Sequence, residues 1–355
     1  MQSRVTLRDI AEKAGVHHTT VSRALKNDPR ICAETLAKIK SLAEEMGYMP
    51  DPMLSALNAY RHASRVTQFH GTIAWVTNNA SRGDWRRSNC YKLYFEGASE
   101  QLTRHGYRME EFWLREPNLS ARRSSQVLLH RGIRGLLICP LPISRGHLSL
   151  QWKNFAAVTF GYSLVRPRLH LFSAAHYRAI ITAMRKMRVL GYRRIGMVAS
   201  YDMNQRMDGM WTAAYQAELP STSRSEAIPV CLLGEDGRPD LNNEYKRLLV
   251  KWYRAHKPDA IISPSVPVYE WLTEEGYHIP KDVAVVSASL HEEGAVSGIV
   301  EAARETGRAA ADFLVSMLQR GEYGVPATPQ RVLLEGKWHD GKTTVNHHHP
   351  LVLVK

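Results

Sequence analysis

The most constraining feature of this sequence is a pattern of two short amphipathic helices near its N-terminus. Thr6 can cap a first helix whose apolar residues recur at helical spacing, and Gly15 supplies the backbone freedom that ends it. A second helix is predicted to begin near His17, after a turn in which Val16 is buried. Two helices joined by so short a turn predict a helix-turn-helix.

The outer face of the second predicted helix carries side chains that suit the major groove of DNA. The inner face holds Val21, Ala24 and Leu25, and the outer face holds His18, Thr19, Ser22 and Arg23. An Arg side chain can form two hydrogen bonds with guanine, and the hydroxyls of Ser and Thr can bond a base edge or a phosphate. This helix is therefore expected to read DNA.

The run from Thr6 to Arg23 resembles the headpiece of the lactose-repressor (LacI/GalR) family of bacterial transcription regulators. In that family a three-helix head precedes a hinge helix and a large effector-binding core. The family usually has Ser at the position of Cys32 and Arg at that of Leu36, so a helix cap and a phosphate contact should be weaker here. The residues expected to contact DNA are Thr6, Leu7, His17, His18, Thr19, Thr20, Ser22, Arg23, Lys26, Thr35, Tyr48 and Leu57.

A short hinge helix is predicted directly after the head. Asp51 suits its N-cap and Pro52 its first position, and a helix this short should form only when two copies meet on DNA. The resemblance implies that Leu57 wedges into a base step from the minor groove and bends the duplex. The alternative is that Leu54 and Leu57 are only an apolar stripe packed on the core.

Length and charge fit this division. The 355 residues are expected to form a helix-turn-helix head at 1–49, a hinge helix and linker at 50–66, a two-lobed core at 67–345 and a disordered tail at 346–355. The formal net charge of +13 suits a polyanionic partner such as DNA, although the basic residues are spread along the whole chain.

Terminal and cysteine patterns exclude several classes. The N-terminus lacks the apolar segment of a signal peptide and no apolar run could span a bilayer, so a cytoplasmic protein without a membrane partner is expected. Four scattered cysteines predict reduced thiols, and neither a metal site nor a cofactor is expected. The run His347-His348-His349 could bind metal adventitiously, but it is expected to be unstructured.

From Gly71 onward, short apolar segments alternate with amphipathic ones. Strands are predicted at 71–77, 107–114, 135–139, 155–160, 194–199, 228–232, 259–263 and 283–287. Helices are predicted at 94–105, 120–131, 174–190 and 242–255, and through Trp211 and Ala217. This order predicts two similar α/β lobes with doubly wound parallel sheets.

Three further motifs resemble the periplasmic-binding-protein-like core of the same family. They are the segments 190–196 and 338–343, and Gly307 at the predicted start of a helix near the C-terminus. Ligands of such folds lie in the crevice between the lobes, at the carboxyl ends of the strands.

The resemblance places an effector-binding Arg at Arg206, whose guanidinium suits hydroxyls or carboxylates; the alternative is a surface salt bridge. Ser265 and Ser289 stand where the family has acidic or amide residues, and Cys139 stands where it has a polar one. Two acidic groups that bond sugar hydroxyls in the family are thus missing. The expected effector is a sugar or sugar derivative, and the loss of these carboxylates also admits an anionic or less hydroxylated one. Acceptors could instead come from Asn78, Asn79 or Asp84, with Trp75, Trp85 or Tyr201 stacking on a sugar or merely packing in the core. The predicted effector site is Arg206, Ser289, Ser265, Asn79 and Cys139.

The resemblance implies a homodimeric, sequence-specific repressor that binds a palindromic double-stranded operator under effector control. The alternatives are a ligand-independent or partner-regulated DNA-binding protein of the same fold, and an architectural DNA-binding protein without sequence preference. An enzyme or a transport-type binding module is a different class. The sequence contains no Gly-x-Ser-x-Gly, no Gly-rich phosphate loop after a strand and no His-Glu-x-x-His, so no catalytic activity is expected.

Overall fold

The computed structural model describes residues 5–25, 28, 30–48, 69–117, 119–219, 228–234 and 243–347. The predicted hinge helix, with Leu54 and Leu57, lies outside these residues, as does Lys26.

The head consists of three helices, α1 (Leu7–Ala14), α2 (His18–Leu25) and α3 (Ala33–Glu45). The Thr6 hydroxyl accepts a hydrogen bond from the Asp9 backbone N–H, and the Asp9 carboxylate accepts one from the Thr6 backbone N–H. This capping box begins α1, and Gly15 ends it at a left-handed φ of 71°. As expected, Cys32 supplies no side-chain cap to α3. The predicted helix-turn-helix is confirmed.

The core is built from fourteen strands and eight α-helices within the described residues. The strands are β1 (Gly71–Thr77), β2 (Tyr107–Trp113), β3 (Gly135–Ile138), β4 (Gly146–His147), β5 (Ala156–Phe160), β6 (Leu164–Arg166), β7 (His170–Ala174), β8 (Ile195–Ser200), β9 (Cys231–Leu233), β10 (Ala260–Ser263), β11 (Ala284–Leu290), β12 (Ser297–Val300), β13 (Arg331–Leu334) and β14 (Lys337–His339). The α-helices are α4 (Asn89–Arg104), α5 (Ala121–His130), α6 (His176–Val189), α7 (Tyr201–Arg206), α8 (Met210–Glu218), α9 (Glu244–His256), α10 (Val268–Glu274) and α11 (Ala303–Arg320).

Twelve of these strands form one six-stranded sheet in each lobe, and β4 and β6 pair with each other in a small two-stranded sheet. The first lobe has the order β13-β7-β5-β3-β1-β2, and its strands are parallel. The second has the order β14-β12-β11-β10-β8-β9, in which only β14 runs antiparallel to its neighbour. Every residue of β3, β5 and β10 is buried, because helices cover both faces of the sheets. The predicted fold class, a helical head with a two-lobed α/β core, is confirmed.

The sequence suggests that one lobe follows the other along the chain. In the structure, the chain instead passes between the two lobes three times. It leaves the first lobe after β7, returns between β12 and α11, and crosses again between β13 and β14. Strands β7, β12, β13 and β14 were not predicted. The helix predicted from residue 174 begins two residues later, since 170–174 form β7. β13 pairs with β7 and β14 pairs with β12, strands that are distant in sequence, so no local pattern marks β13 or β14.

Two glycines allow α4 and α11 to pack closely in the first lobe. A Cβ atom at Gly97 would lie 1.9 Å from the backbone oxygen of Arg304, and one at Gly307 would lie 2.2 Å from that of Tyr94. Gly307 therefore stands inside α11, which begins four residues earlier at Ala303, and not at the helix start that the sequence predicts.

The first residues of the predicted disordered tail are attached to the second lobe. The backbone N–H of His347 donates to the Leu190 carbonyl at 3.0 Å, and its ring contacts Tyr192 edge-on at 4.7 Å between centroids. Residues 348–355 lie outside the described part of the chain.

Candidate functional site

The outer face of α2 presents the side chains that the sequence selects for DNA. Val21 and Ala24 are buried in the head core. The side chains of His18, Thr19 and Arg23 are exposed, as is that of His17 just before the helix, whereas those of Thr20 and Ser22 are half-buried. The structure thus brings the predicted reading residues together on one surface.

Contacts within this surface partly order it before any DNA is bound. The His17 Nδ1 lies 2.9 Å from the Thr19 hydroxyl, and the rings of His17 and His18 are 4.1 Å apart. The Arg23 Nε lies 4.0 Å from a carboxylate oxygen of Asp28. The guanidinium remains half-exposed, so it is available to a partner.

The other described residues of the predicted DNA site surround the head. Thr6 is exposed at the cap of α1, while Leu7 and Tyr48 pack partly buried against the head core. The hydroxyl of Thr35 is 2.9 Å from the Cys32 sulfur at the start of α3.

A cavity of about 450 Å³ lies between the lobes. Its walls are formed by residues of both lobes and of the crossing segments: Ser88, Cys90, Tyr91, Tyr94, Pro140, Gly161, Tyr162, Ser163, Ser173, His176, Met203, Arg206, Met207, Trp211, Ser263, Pro264, Ser265, Val266, Pro267, Ser287, Ser289, His291 and Glu301. The predicted residues Arg206, Ser265 and Ser289 are among them.

Arg206 reaches from the end of α7 in the second lobe to the first lobe. Only 7% exposed, it donates from Nη2 to the Leu141 carbonyl at 2.6 Å and to the Tyr91 hydroxyl at 2.9 Å. Its Nε is buried without a hydrogen-bond partner among the described residues. Arg206 is thus a buried interlobe contact with donor capacity left over, and not a surface salt bridge.

The other predicted effector residues are divided between wall and core. The Ser265 hydroxyl accepts from the Ser200 backbone N–H at 3.1 Å, and the Ser289 hydroxyl donates to Glu301 at 2.7 Å. Asn79 and Cys139 do not line the cavity. The Asn79 carbonyl accepts from the Trp113 indole, and Cys139 is buried in the core of the first lobe.

The aromatic residues considered from the sequence do not line the cavity either. Trp75 and Trp85 are buried in the first lobe, where their rings lie 5.5 Å apart, and Tyr201 is half-buried on α7. Asn78 and Asp84 are likewise absent from the lining. The aromatic walls of the cavity are instead Tyr91, Tyr94, Tyr162 and Trp211, and no sequence pattern marks these residues.

Sequence reasoning also missed a buried acid–base pair in the cavity wall. Glu301 and His176 stand at two of the three crossings between lobes, and the His176 Nδ1 is 3.6 Å from the Glu301 carboxylate. Burial raises the pKa of Glu301 to about 7, a rise that the hydrogen bond from Ser289 opposes. Burial lowers the pKa of His176 to about 4. No local motif marks either residue, because only the crossings bring them together.

Neighbouring cavity groups are also perturbed by burial. Burial, followed by the nearby Glu301 carboxylate, raises the pKa of the Cys90 thiol well above its ordinary value. Burial raises the pKa of Tyr91 to about 12, against the effect of Arg206. The cavity therefore offers a guanidinium, hydroxyls, a carboxyl group and imidazoles in one space between the lobes, which suits a small polar ligand.

Comparison with family models gives matches in both parts of the chain. A model described as bacterial regulatory proteins, lacI family, matches residues 6–51. A model described as a periplasmic binding protein-like domain matches residues 184–344.

Curated relatives carry the names of transcription regulators. The probable HTH-type transcriptional repressor ExuR of Bacillus subtilis (strain 168) is 36% identical over 102 residues, which are 27% of this chain and 30% of that protein. The HTH-type transcriptional regulator PtxS of Pseudomonas plecoglossicida is 26% identical over 229 residues, 62% of each protein. The matched stretches thus span less than two thirds of these relatives.

Solved structures share the fold over nearly the whole chain. A complex of the transcriptional regulator CelR with cellobiose has a TM-score of 0.55 at 20% identity, and covers 96% of this chain and 100% of its own. The lac repressor dimer bound to operator and the anti-inducer ONPF also has a TM-score of 0.55, at 17% identity, and covers 97% and 100%. Among the described residues, no helix is both long and apolar enough to cross a membrane.

Proposed function

We propose that this chain is a sequence-specific transcriptional repressor controlled by a small effector, because its residues 6–51 match the lacI-family model and its residues 184–344 match a periplasmic binding protein-like domain. The observation that carries this proposal is the presence, in one chain, of an exposed reading face on α2 and an interlobe cavity that contains the buried Arg206.

The head would place α2 in the major groove of its operator. Arg23 can form two hydrogen bonds with a guanine, while His18 and Thr19 can contact neighbouring base edges or phosphates. One such head contacts too few base pairs for high specificity. We therefore propose a homodimer on a palindromic operator, with half-sites about one helical turn apart.

The cavity would hold a sugar or a sugar-derived effector, including an anionic one. Its volume of about 450 Å³ lies in the range of roughly 300–1,000 Å³ that is usual for small-molecule sites. The unpartnered Nε of Arg206 would donate to a hydroxyl or carboxylate of the effector. In members of the lactose-repressor family, acidic residues that this chain lacks accept hydrogen bonds from the effector. Here Ser265, Ser289 and Glu301 would accept them instead.

The link between the sites would be the arrangement of the lobes. Arg206 holds the lobes together through Leu141 and Tyr91, so a ligand that competes for its N–H groups changes the free energy of the closed arrangement. That change would alter how two heads are presented to DNA, and effector and operator affinities would be coupled reciprocally. An activity on chromosomal DNA would place the protein in the cytoplasm, and no catalytic role is proposed.

Selection of bound sequences from a random DNA pool by the purified full-length protein tests the proposal. An enriched palindrome would support a dimeric, sequence-specific regulator. Retention of DNA without sequence preference would contradict it and favour an architectural role.

A second candidate is a repressor of the same fold that needs no effector, or that a partner protein controls. It is favoured by the contacts of Arg206, whose Nη2 is already satisfied by protein groups. An operator affinity that no sugar or sugar acid changes would support this candidate.

A further inference from the structure

Three metal-binding side chains of different chemistry meet at the wall of the interlobe cavity. Cys90, His291 and Glu301 each present one ligand atom, and these three atoms all lie within 4.8 Å of one another. The Cys90 sulfur is 4.0 Å from Oε2 of Glu301. All three residues line the cavity, so a ligand can reach them.

Two buried ring nitrogens at this cluster lack hydrogen-bond partners in the described part of the chain. The Nδ1 atom of His291 is buried without a hydrogen bond, and so is that of His176, which lies 3.6 Å from the Glu301 carboxylate. His176 is 6% exposed and Glu301 is 7% exposed, and no Lys or Arg among the described residues forms an ion pair with Glu301. Buried polar groups in this state favour binding of a ligand that satisfies them.

We propose that Cys90, His291 and Glu301 bind a divalent transition-metal ion of the zinc type. A thiolate, an imidazole and a carboxylate are all ligands of Zn²⁺, whereas the thiol argues against Mg²⁺ and Ca²⁺, which bind oxygen. Tetrahedral ligands about 2.0–2.3 Å from zinc lie roughly 3.3–3.8 Å apart. Side-chain rotations that move the three ligand atoms by about 1 Å would therefore bring them to zinc-binding distances. This proposal departs from the expectation, drawn from the scattered cysteines, that no metal site is present.

Ser289 holds the carboxylate of this site in place. Its hydroxyl donates to Oε1 of Glu301 at 2.7 Å, which leaves Oε2 on the side of Cys90. Such an outer hydrogen bond fixes a metal ligand and tunes its affinity. Ser289 is thus a positioning residue, and Ser289→Ala should weaken metal binding by about 10-fold.

The three ligands would link the two lobes through the metal. Cys90 lies on α4 of the first lobe, His291 directly follows β11 of the second, and Glu301 belongs to a crossing segment. Three protein ligands leave a fourth position, which faces the cavity and accepts water or a ligand oxygen. That this oxygen belongs to the effector rests on the proposed function, but the metal site does not.

Titration of the full-length, reduced and metal-free protein with Co²⁺ tests the site directly. We expect one Co²⁺ per chain, with a sulfur-to-cobalt charge-transfer band that added Zn²⁺ abolishes. Cys90→Ser should remove the band, and His291→Ala should lower the affinity for Co²⁺. Cys32→Ser and Cys231→Ser are the matched controls, because these thiols lie outside the cluster, and both should keep the band.

Other outcomes would overturn the proposal. A band that survives Cys90→Ser, or unchanged affinity in His291→Ala, assigns the metal to other residues. Co²⁺ bound without a sulfur band and lost when His347, His348 and His349 are replaced by Ala indicates adventitious binding by the histidine run. If Cys90→Ser does not fold, His291→Ala decides. Since the readout needs no DNA, it is independent of whether the chain binds an operator.

Discussion

The reading face of the head and the interlobe cavity differ in how their residues are brought together. His17, His18, Thr19 and Arg23 lie within seven consecutive positions and are exposed. The cavity lining extends from Ser88 to Glu301 and includes buried charged groups. Helical periodicity alone assembles the first surface, whereas tertiary topology assembles the second. A local site is therefore readable from a sequence, and a long-range one mostly is not.

The same difference decides how much could be predicted. Thr6, Gly15 and the apolar spacing determine the head through local rules of capping and periodicity. Arg206 was found only because the family resemblance pointed to its position. His176 and Glu301 lie at crossings between the lobes, and the sequence contains no local signal that the chain crosses there. Asn79 and Cys139 follow strands as expected, yet their side chains do not reach the cavity.

Separating the two sites by mutation should give the largest effect. Arg206→Ala removes the interlobe donor, so it should abolish the effect of ligands on operator affinity. Any change in operator affinity without ligand then measures how much the Arg206 contacts contribute to the lobe arrangement. The measurement is operator affinity with and without cellobiose, neutral hexoses and sugar acids. Arg185→Ala, which removes an exposed Arg paired with Glu218, is the control and should keep the response. A response retained in Arg206→Ala would remove this residue from the effector site.

Glu301 and His176 should make opposite contributions to the pH dependence of the unfolding free energy, and these contributions should nearly cancel in the unaltered core. The pKa of Glu301 is raised from 4.5 to about 7, so its contribution to stability is full below pH 4.5 and is lost as pH rises through 7. The pKa of His176 is lowered from 6.5 to about 4, so its contribution is full above pH 6.5 and is lost as pH falls through 4. Each shift corresponds to about 3 kcal/mol.

Single substitutions should expose these two slopes. In metal-free buffer, the unfolding free energy of His176→Asn should fall by up to about 3 kcal/mol as pH rises from 4.5 to 7. That of Glu301→Gln should fall by a similar amount as pH decreases from 6.5 to 4. Denaturant unfolding of the core at several pH values measures both slopes, and the double variant should lack both of them. Slopes of the same sign in the two single variants would refute the assignment.

Arg23→Ala should distinguish sequence-specific DNA binding by the head from nonspecific electrostatic attraction to DNA. Loss of a bidentate guanine contact costs about 1–3 kcal/mol, or roughly 5–150-fold in operator affinity. Lys13→Ala removes the same charge outside α2, where the ammonium lies 3.0 Å from Glu45. Binding measured on the selected operator and on random DNA should show a loss of specificity only in Arg23→Ala. Equal losses for the two variants on both DNAs would reduce Arg23 to a phosphate contact.

Thr6 gives the smallest expected effect, and it tests whether a head residue can be purely structural. Thr6→Ala should weaken α1 by about 1 kcal/mol, because its hydroxyl no longer accepts from the Asp9 N–H. Hydrogen exchange of the α1 amides in the full chain should then be roughly five times faster. Thr6→Asn keeps a capping oxygen and adds no charge beside the Asp9 carboxylate, which lies 2.9 Å from the Thr6 hydroxyl. Thr6→Asn should therefore keep the slow exchange. If both variants keep operator affinity, Thr6 is a cap alone; a loss of affinity in both indicates that its hydroxyl also contacts DNA.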